Sequence, residues 1–155
     1  MEQTNYTILN NRLKALCEKQ DYFVTNLSNA SAALWQAMSE INWAGFYLMK
    51  DGVLVLGPFQ GKPACVRIEV GKGVCGTAVY EDKVQRVADV HEFPGHIACD
   101  SASRSEIVIP IHQDGKIVGV LDIDSPVTER FCAEDEAGLL AFVRVLEETT
   151  RFTGI

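Results

Sequence analysis

Ser105-Glu106-Ile107-Val108-Ile109-Pro110-Ile111-His112 leads through Gln113-Asp114-Gly115 into Lys116-Ile117-Val118-Gly119-Val120-Leu121-Asp122-Ile123-Asp124. Two strand-length runs, mostly apolar, flank an Asp-Gly pair, which predicts a β-hairpin. A second Asp-Gly pair, Asp51-Gly52, stands between an aromatic, strand-like segment over 41–49 and Val53-Leu54-Val55-Leu56. Hairpins join strands antiparallel, so the sheet they build is expected to be antiparallel.

Helical spacing frames these hairpins. Tyr6, Leu9, Leu13 and Leu16 predict a helix over 5–18, and Phe23, Leu27, Ala30, Leu34 and Met38 one over 21–38 with Asp21 as its cap. A last helix over 133–152 buries Leu139, Val143 and Leu146, with Phe142 alongside. Its first turn holds Glu134, Asp135 and Glu136, where the helix dipole favours anions. Between the hairpins, 57–65 reads as a Gly/Pro-rich loop, 66–70 and 84–87 as short strands, and 74–80 as a short helix. Residues 88–104 show no period, and so long an irregular stretch is characteristic of functional loops. The expected fold is α+β, one domain over 1–155: a central antiparallel sheet with the N- and C-terminal helices packed on one face.

Composition narrows the function. Of 155 residues, 47% are hydrophobic and 23% charged, values of a globular chain large enough for one core. The net charge of −7 argues against nucleic acid as a partner. No apolar run is long enough to cross a membrane, and Met1-Glu2-Gln3-Thr4-Asn5 has no signal-peptide character, so the expected compartment is the cytoplasm. The five cysteines (Cys17, Cys65, Cys75, Cys99 and Cys132) contain no CxxC pair. Cys65, Cys75 and Cys99 lie in irregular, Gly/Pro-rich sequence, whereas Cys17 and Cys132 lie in or beside helices.

Cys99 sits near His96 and next to Asp100, in a loop where a thiolate could be accessible. Cys65 and Cys75 adjoin glycine, proline or both within two residues, where the backbone could shift to close a disulfide with an oxidised partner. The acids form a second group. Period two puts Asp122 and Asp124 on one strand face. A two-residue Asp114-Gly115 turn pairs Glu106 with Ile123; a three-residue turn with a bulge pairs it with Asp122; a shared acidic face needs the second register or an equivalent bulge. Trp43 and Tyr47, four apart in a strand, share a face that could wall an apolar pocket. The bland alternatives are a solvated acidic face and ordinary aromatic core. His91, His96, Cys99 and Cys65 make a weak zinc set with one His-x-x-Cys piece, and the expected metal and cofactor complement is none. Gly71-x-Gly73-x-x-Gly76 lacks the βαβ setting of a dinucleotide site.

The layout resembles a GAF domain. More specifically, Gly57-Pro58-Phe59-Gln60-Gly61-Lys62-Pro63-Ala64-Cys65, Gly73-Val74-Cys75-Gly76, Phe93-Pro94-Gly95-His96-Ile97-Ala98-Cys99-Asp100 and Ser105-Glu106-Ile107-Val108-Ile109-Pro110 resemble the free methionine-R-sulfoxide reductases. The resemblance implies reduction of free L-methionine (R)-S-oxide to methionine, with thioredoxin as reductant and a homodimeric assembly through the N-terminal helices. It implies that Cys99 is the nucleophile, Cys65 its principal resolving partner and Cys75 a second partner or alternative. It places Trp43, Tyr47, Glu106, Asp122 and Asp124 in the substrate pocket, with backbone N–H groups around Ile97 and Ala98 near the substrate. The competing expectation is a non-catalytic GAF sensor for a small ligand. Such a sensor needs an output domain, for which 155 residues leave no room, and gives the three loop cysteines no purpose.

Overall fold

Residues 3–96 and 101–154 are described by a computed structural model. Along them run α1 (Tyr6–Cys17), α2 (Phe23–Ala37), β1 (Trp43–Lys50), β2 (Val53–Gly61), β3 (Arg67–Ile68), α3 (Gly73–Glu81), β4 (Gln85–Val87), β5 (Ser105–Gln113), β6 (Lys116–Ser125) and α4 (Ala133–Thr149). Among the described residues the strands form one sheet in the order β3-β2-β1-β6-β5-β4, and every neighbouring pair is antiparallel. Both Asp-Gly pairs make the expected turns. Asp51 and Gly52 take φ of 52° and 81°, Asp114 and Gly115 take 53° and 75°, as a tight hairpin between right-twisted strands demands.

Strand alternation sorts the side chains onto two faces. Ala44, Phe46 and Leu48 of β1, Ile107, Ile109 and Ile111 of β5, and Leu121 and Ile123 of β6 form one core with buried residues of α1, α2 and α4. The opposite face carries Trp43, Tyr47, Val108 and Val120, and α3 packs there through Val74, Cys75 and Ala78. The expected packing of the terminal helices on one face therefore holds, with the short helix alone on the other. Gly76 seats α3: a Cβ on it would strike the carbonyl oxygen of Glu69. That close approach fixes where Cys75, one residue earlier, meets the sheet.

Three local expectations are corrected. Residues 57–61 continue β2 instead of forming a loop. Gly57 and Pro58 lie where the β1–β2 register shifts, between the Gly45–Phe59 and Tyr47–Leu56 pairs, so Pro58 needs no ladder N–H. Asp21 does not cap α2. Gln20 Oε1 accepts from the Tyr22 N–H at 2.9 Å, and the Asp21 carboxylate reaches Arg151 at 3.2 Å. α4 ends at Thr149, because Gln113 then captures the chain, donating to the Thr150 carbonyl and accepting from the Phe152 N–H. At the start of α4 the Asp135 carboxylate accepts the Cys132 N–H at 3.0 Å. The aperiodic stretch contains a 3₁₀ turn, Val90–Glu92, with Asp89 accepting from the His91 N–H.

Candidate active site

The register of β1, β6 and β5 decides what faces α3. Trp43 pairs with Asp124, and Asp124 with Glu106, so these three stand in one row across the sheet. One row along, Gly45, Asp122 and Val108 stand together. Neither register expected from the turn alone occurs. The loop has two residues, but the shift between Ile111–Gly119 and His112–Ile117 leaves Val118 as an extra residue on β6. That bulge moves Glu106 from Ile123 to Asp124 and brings all three acids to one face.

A cavity open to solvent lies over this face. Trp43, Tyr47, Cys75, Glu106, Asp122 and Asp124 all line it. The aromatic wall is preorganised. The Trp43 ring stacks on Tyr47 (5.8 Å between centroids, 24° between planes) and on Phe59 (5.1 Å, 16°). Trp43 Nε1 donates to the Lys62 carbonyl at 3.1 Å, and the Tyr47 hydroxyl to the Cys65 carbonyl at 2.9 Å. With both polar tips satisfied, apolar ring surface is what remains for the cavity.

The polar wall is nearly dry. Glu106 is 7% exposed, Asp122 5% and Cys75 4%, and one ligand atom from each lies within 4.8 Å of the others. Asp122 Oδ1 has no hydrogen-bond partner among the described residues. Burial, followed by the charges of Asp122 and Asp124, pushes the Glu106 carboxyl well above the usual range. Burial also raises Asp122, but hydrogen bonds shared with Glu106, Cys75 and Asp124 pull it back toward ionisation. The pair therefore divides its roles: Glu106 keeps a proton while Asp122 accepts hydrogen bonds. Burial and the same acids hold Cys75 as a thiol and Tyr47 as a phenol. His96 also lines the cavity, where burial lowers its pKa and favours neutral imidazole.

Cys65 is disulfide-bonded, whereas Cys17, Cys75 and Cys132 are free. Cys99, Ile97 and Ala98 lie outside the described residues. The weak zinc set is not assembled by what is described: His91 Nδ1 turns to Asp89 at 3.3 Å, and Cys65 offers no free thiolate. Gly71-x-Gly73-x-x-Gly76 leads from a two-residue antiparallel strand into α3, which is not a dinucleotide-binding unit. Phe59, Lys62, Lys72 and Ser103 are site components that sequence reasoning passed over. Phe59 was hidden by Gly57-Pro58, which read as a loop. The other three are polar residues in irregular segments, with no period to mark them.

The GAF domain model matches residues 24–149. The chain is 57% identical to Protein YtsP of Bacillus subtilis, covering 95% of this chain and 91% of that protein. It is 56% identical to the free methionine-R-sulfoxide reductase of Escherichia coli, covering 96% and 90%. The fRMsr of Staphylococcus aureus, solved in complex with substrate, superposes with a TM-score of 0.93 at 53% identity, covering 96% and 97%. With this fold, this cavity and these relatives, the chain belongs to the free methionine-R-sulfoxide reductases of the GAF domain family, and is an oxidoreductase.

Proposed function

We propose that the protein reduces free L-methionine (R)-S-oxide to L-methionine, using Cys99 as nucleophile and Glu106 as proton donor. The observation that carries this reading is the buried Glu106–Asp122 pair beside the Trp43–Tyr47 wall. A sulfoxide needs both surfaces: apolar rings for its methyl group, and an acid for its oxygen.

In the proposed reaction the Cys99 thiolate attacks the sulfoxide sulfur as Glu106 protonates the oxygen. The oxygen then migrates from the substrate sulfur to Cys99 as the new sulfur–sulfur bond breaks, so that methionine leaves and Cys99 is left as a sulfenic acid. The Cys65 thiolate then attacks that sulfur, water departs, and a Cys65–Cys99 disulfide remains. A dithiol reductant, thioredoxin, restores both thiols by exchange. Asp122 and Asp124 serve the substrate ammonium, and the backbone around Ile97 and Ala98 adjoins the sulfoxide. Cys75 is a poorer resolving candidate than Cys65, because a thiol held protonated is a weak nucleophile. The reaction fits the reducing cytoplasm; among the described residues no helix is long and apolar enough to cross a membrane. A homodimer through the N-terminal helices completes the proposal.

The decisive assay follows NADPH consumption with thioredoxin and its reductase, supplied with each free sulfoxide diastereomer in turn. Turnover of the R form alone is expected. Absence of turnover on either form would return the chain to a ligand-binding role. Cys65→Ser should release methionine once per protein and then stop; sustained turnover would move the resolving role to Cys75.

A further inference from the structure

The disulfide-bonded Cys65 lies just before β3, the strand at one edge of the sheet. Val66, the next residue, is 71% exposed, more than any other large aliphatic side chain described. The Leu56 N–H donates to the Val66 carbonyl at 3.1 Å, so Val66 turns its backbone toward β2. Arg67, one residue on, therefore turns its N–H and carbonyl to the open edge. Charge is segregated here as well. The chain carries −7, yet residues 60–72 hold Lys62, Arg67 and Lys72 against Glu69 alone, and all four are exposed. An exposed apolar side chain, an open strand edge and a cationic rim beside a disulfide are features that a docking protein uses and a small thiol does not need.

We propose that the segment around Val66 and Arg67 is the docking surface for the protein dithiol that recycles the enzyme, a reductant with an acidic face whose thiolate attacks the Cys65 sulfur. This rests on the reductase reading above and gives its last step a surface. Attack breaks the sulfur–sulfur bond. The electron pair leaves on the other sulfur, Cys99 in that reading, and a mixed disulfide forms at Cys65. The second thiol of the reductant then attacks the reductant's own sulfur in that bond. Cys65 departs, the reductant keeps the disulfide, and the two protons it gave up end on the released thiols. Charge chooses the partner's face: an acidic protein is repelled by a chain of net charge −7 and attracted at the basic segment, so encounter is steered to the sulfur. Attack at Cys65 also returns Cys99 directly as the thiolate that the next substrate needs.

The test needs no sulfoxide. Protein in its disulfide form is mixed with reduced thioredoxin of acidic net charge, and samples are acid-quenched, alkylated and weighed by mass spectrometry. Arg67→Glu should slow the second-order reduction about 10-fold, and Val66→Ser about 3–10-fold. Dithiothreitol should reduce parent and variants at one rate. Arg144→Glu, an exposed charge reversal on α4 across the sheet, should leave reduction by thioredoxin unchanged. Raising salt from about 20 to 200 mM should narrow the gap between parent and Arg67→Glu. Thioredoxin lacking its second cysteine should be trapped on Cys65. The proposal is overturned by thioredoxin rates that neither variant changes, by equal slowing with dithiothreitol, or by a trap that maps to another cysteine. Reduction that slows as the protein's own concentration rises would overturn it too, by assigning the patch to a second copy. Single-turnover methionine release stands apart. It should be the same in parent, Val66→Ser and Arg67→Glu; its absence in all three would count against the reductase reading, while the reduction rates still decide the docking surface.

Discussion

The two faces of the sheet are built from the same strands and do opposite work. On β5, Ile107, Ile109 and Ile111 point to one core while Glu106 points to the cavity; on β6, Leu121 and Ile123 alternate with Asp122 and Asp124. The core of the first face, under α1, α2 and α4, is apolar, and polar groups buried beside it, such as Asp135 and Asn26, are hydrogen-bonded. The second, under α3, buries two carboxyls and a thiol that would each be better solvated in water. The difference teaches that stability is supplied by one face, and that chemistry is concentrated where the other face departs from good packing. Substitutions on the two faces should therefore have different signatures.

The largest contrast comes from Cys99. Cys99→Ser should abolish sulfoxide reduction and leave unfolding unchanged, since a hydroxyl cannot replace a thiolate here. Diastereomer-resolved product analysis and thermal unfolding measure the two halves; residual reduction near wild type would remove Cys99 from the chemistry.

Glu106→Gln should come next, slowing single-turnover methionine release by about 10²–10⁴-fold, the usual worth of a positioned acid. A methyl sulfoxide lacking the amino group sharpens the assignment. Equal loss on both substrates assigns Glu106 to the sulfoxide oxygen; loss on the amino acid alone assigns it to the ammonium.

On the apolar face, Phe142→Ala should act in the reverse way. Phe142 is fully buried in the core shared with Leu121 and Ile123, and its truncation should cost about 3–5 kcal/mol of stability. The protein that remains folded should turn over normally. A fall in turnover per folded molecule, with stability intact, would break the division between the faces.

The apolar face was legible in the sequence because period is a local property. Leu9, Leu13, Leu27, Leu34, Leu139 and Leu146 mark their helices, and the two Asp-Gly pairs mark the hairpins. The acids were legible as candidates, but their meeting was not. It depends on an extra residue at Val118, and no turn rule places a bulge within Ile117-Val118-Gly119. The site's third wall was harder still. Cys75 meets Glu106 and Asp122 only because Gly76 lets α3 approach Glu69, and a close approach between elements leaves no periodic trace. Phe59 was lost to Gly57-Pro58, a pair that ordinarily ends a strand and here occupies its bulge.

The smallest effect discriminates the faces through pH. In the native protein burial and the neighbouring acids raise the Glu106 carboxyl well above its unfolded value of about 4.3. From that unfolded value upward the native state holds a proton that the unfolded state has released. Stability is thus fully present below the unfolded pKa and falls as pH rises toward the native one. The slope approaches about 1.4 kcal/mol per pH unit for one group. Asp122, also raised, adds to the same decline. Glu106→Gln removes its own share, so the variant should gain on the wild type as pH rises, and at neutral pH be the more stable of the two. Urea unfolding across acid to neutral pH measures this. Parallel stability curves for the two proteins would mean that Glu106 is ionised in the native state. The proton for the sulfoxide oxygen would then have to come from another group on the cavity wall.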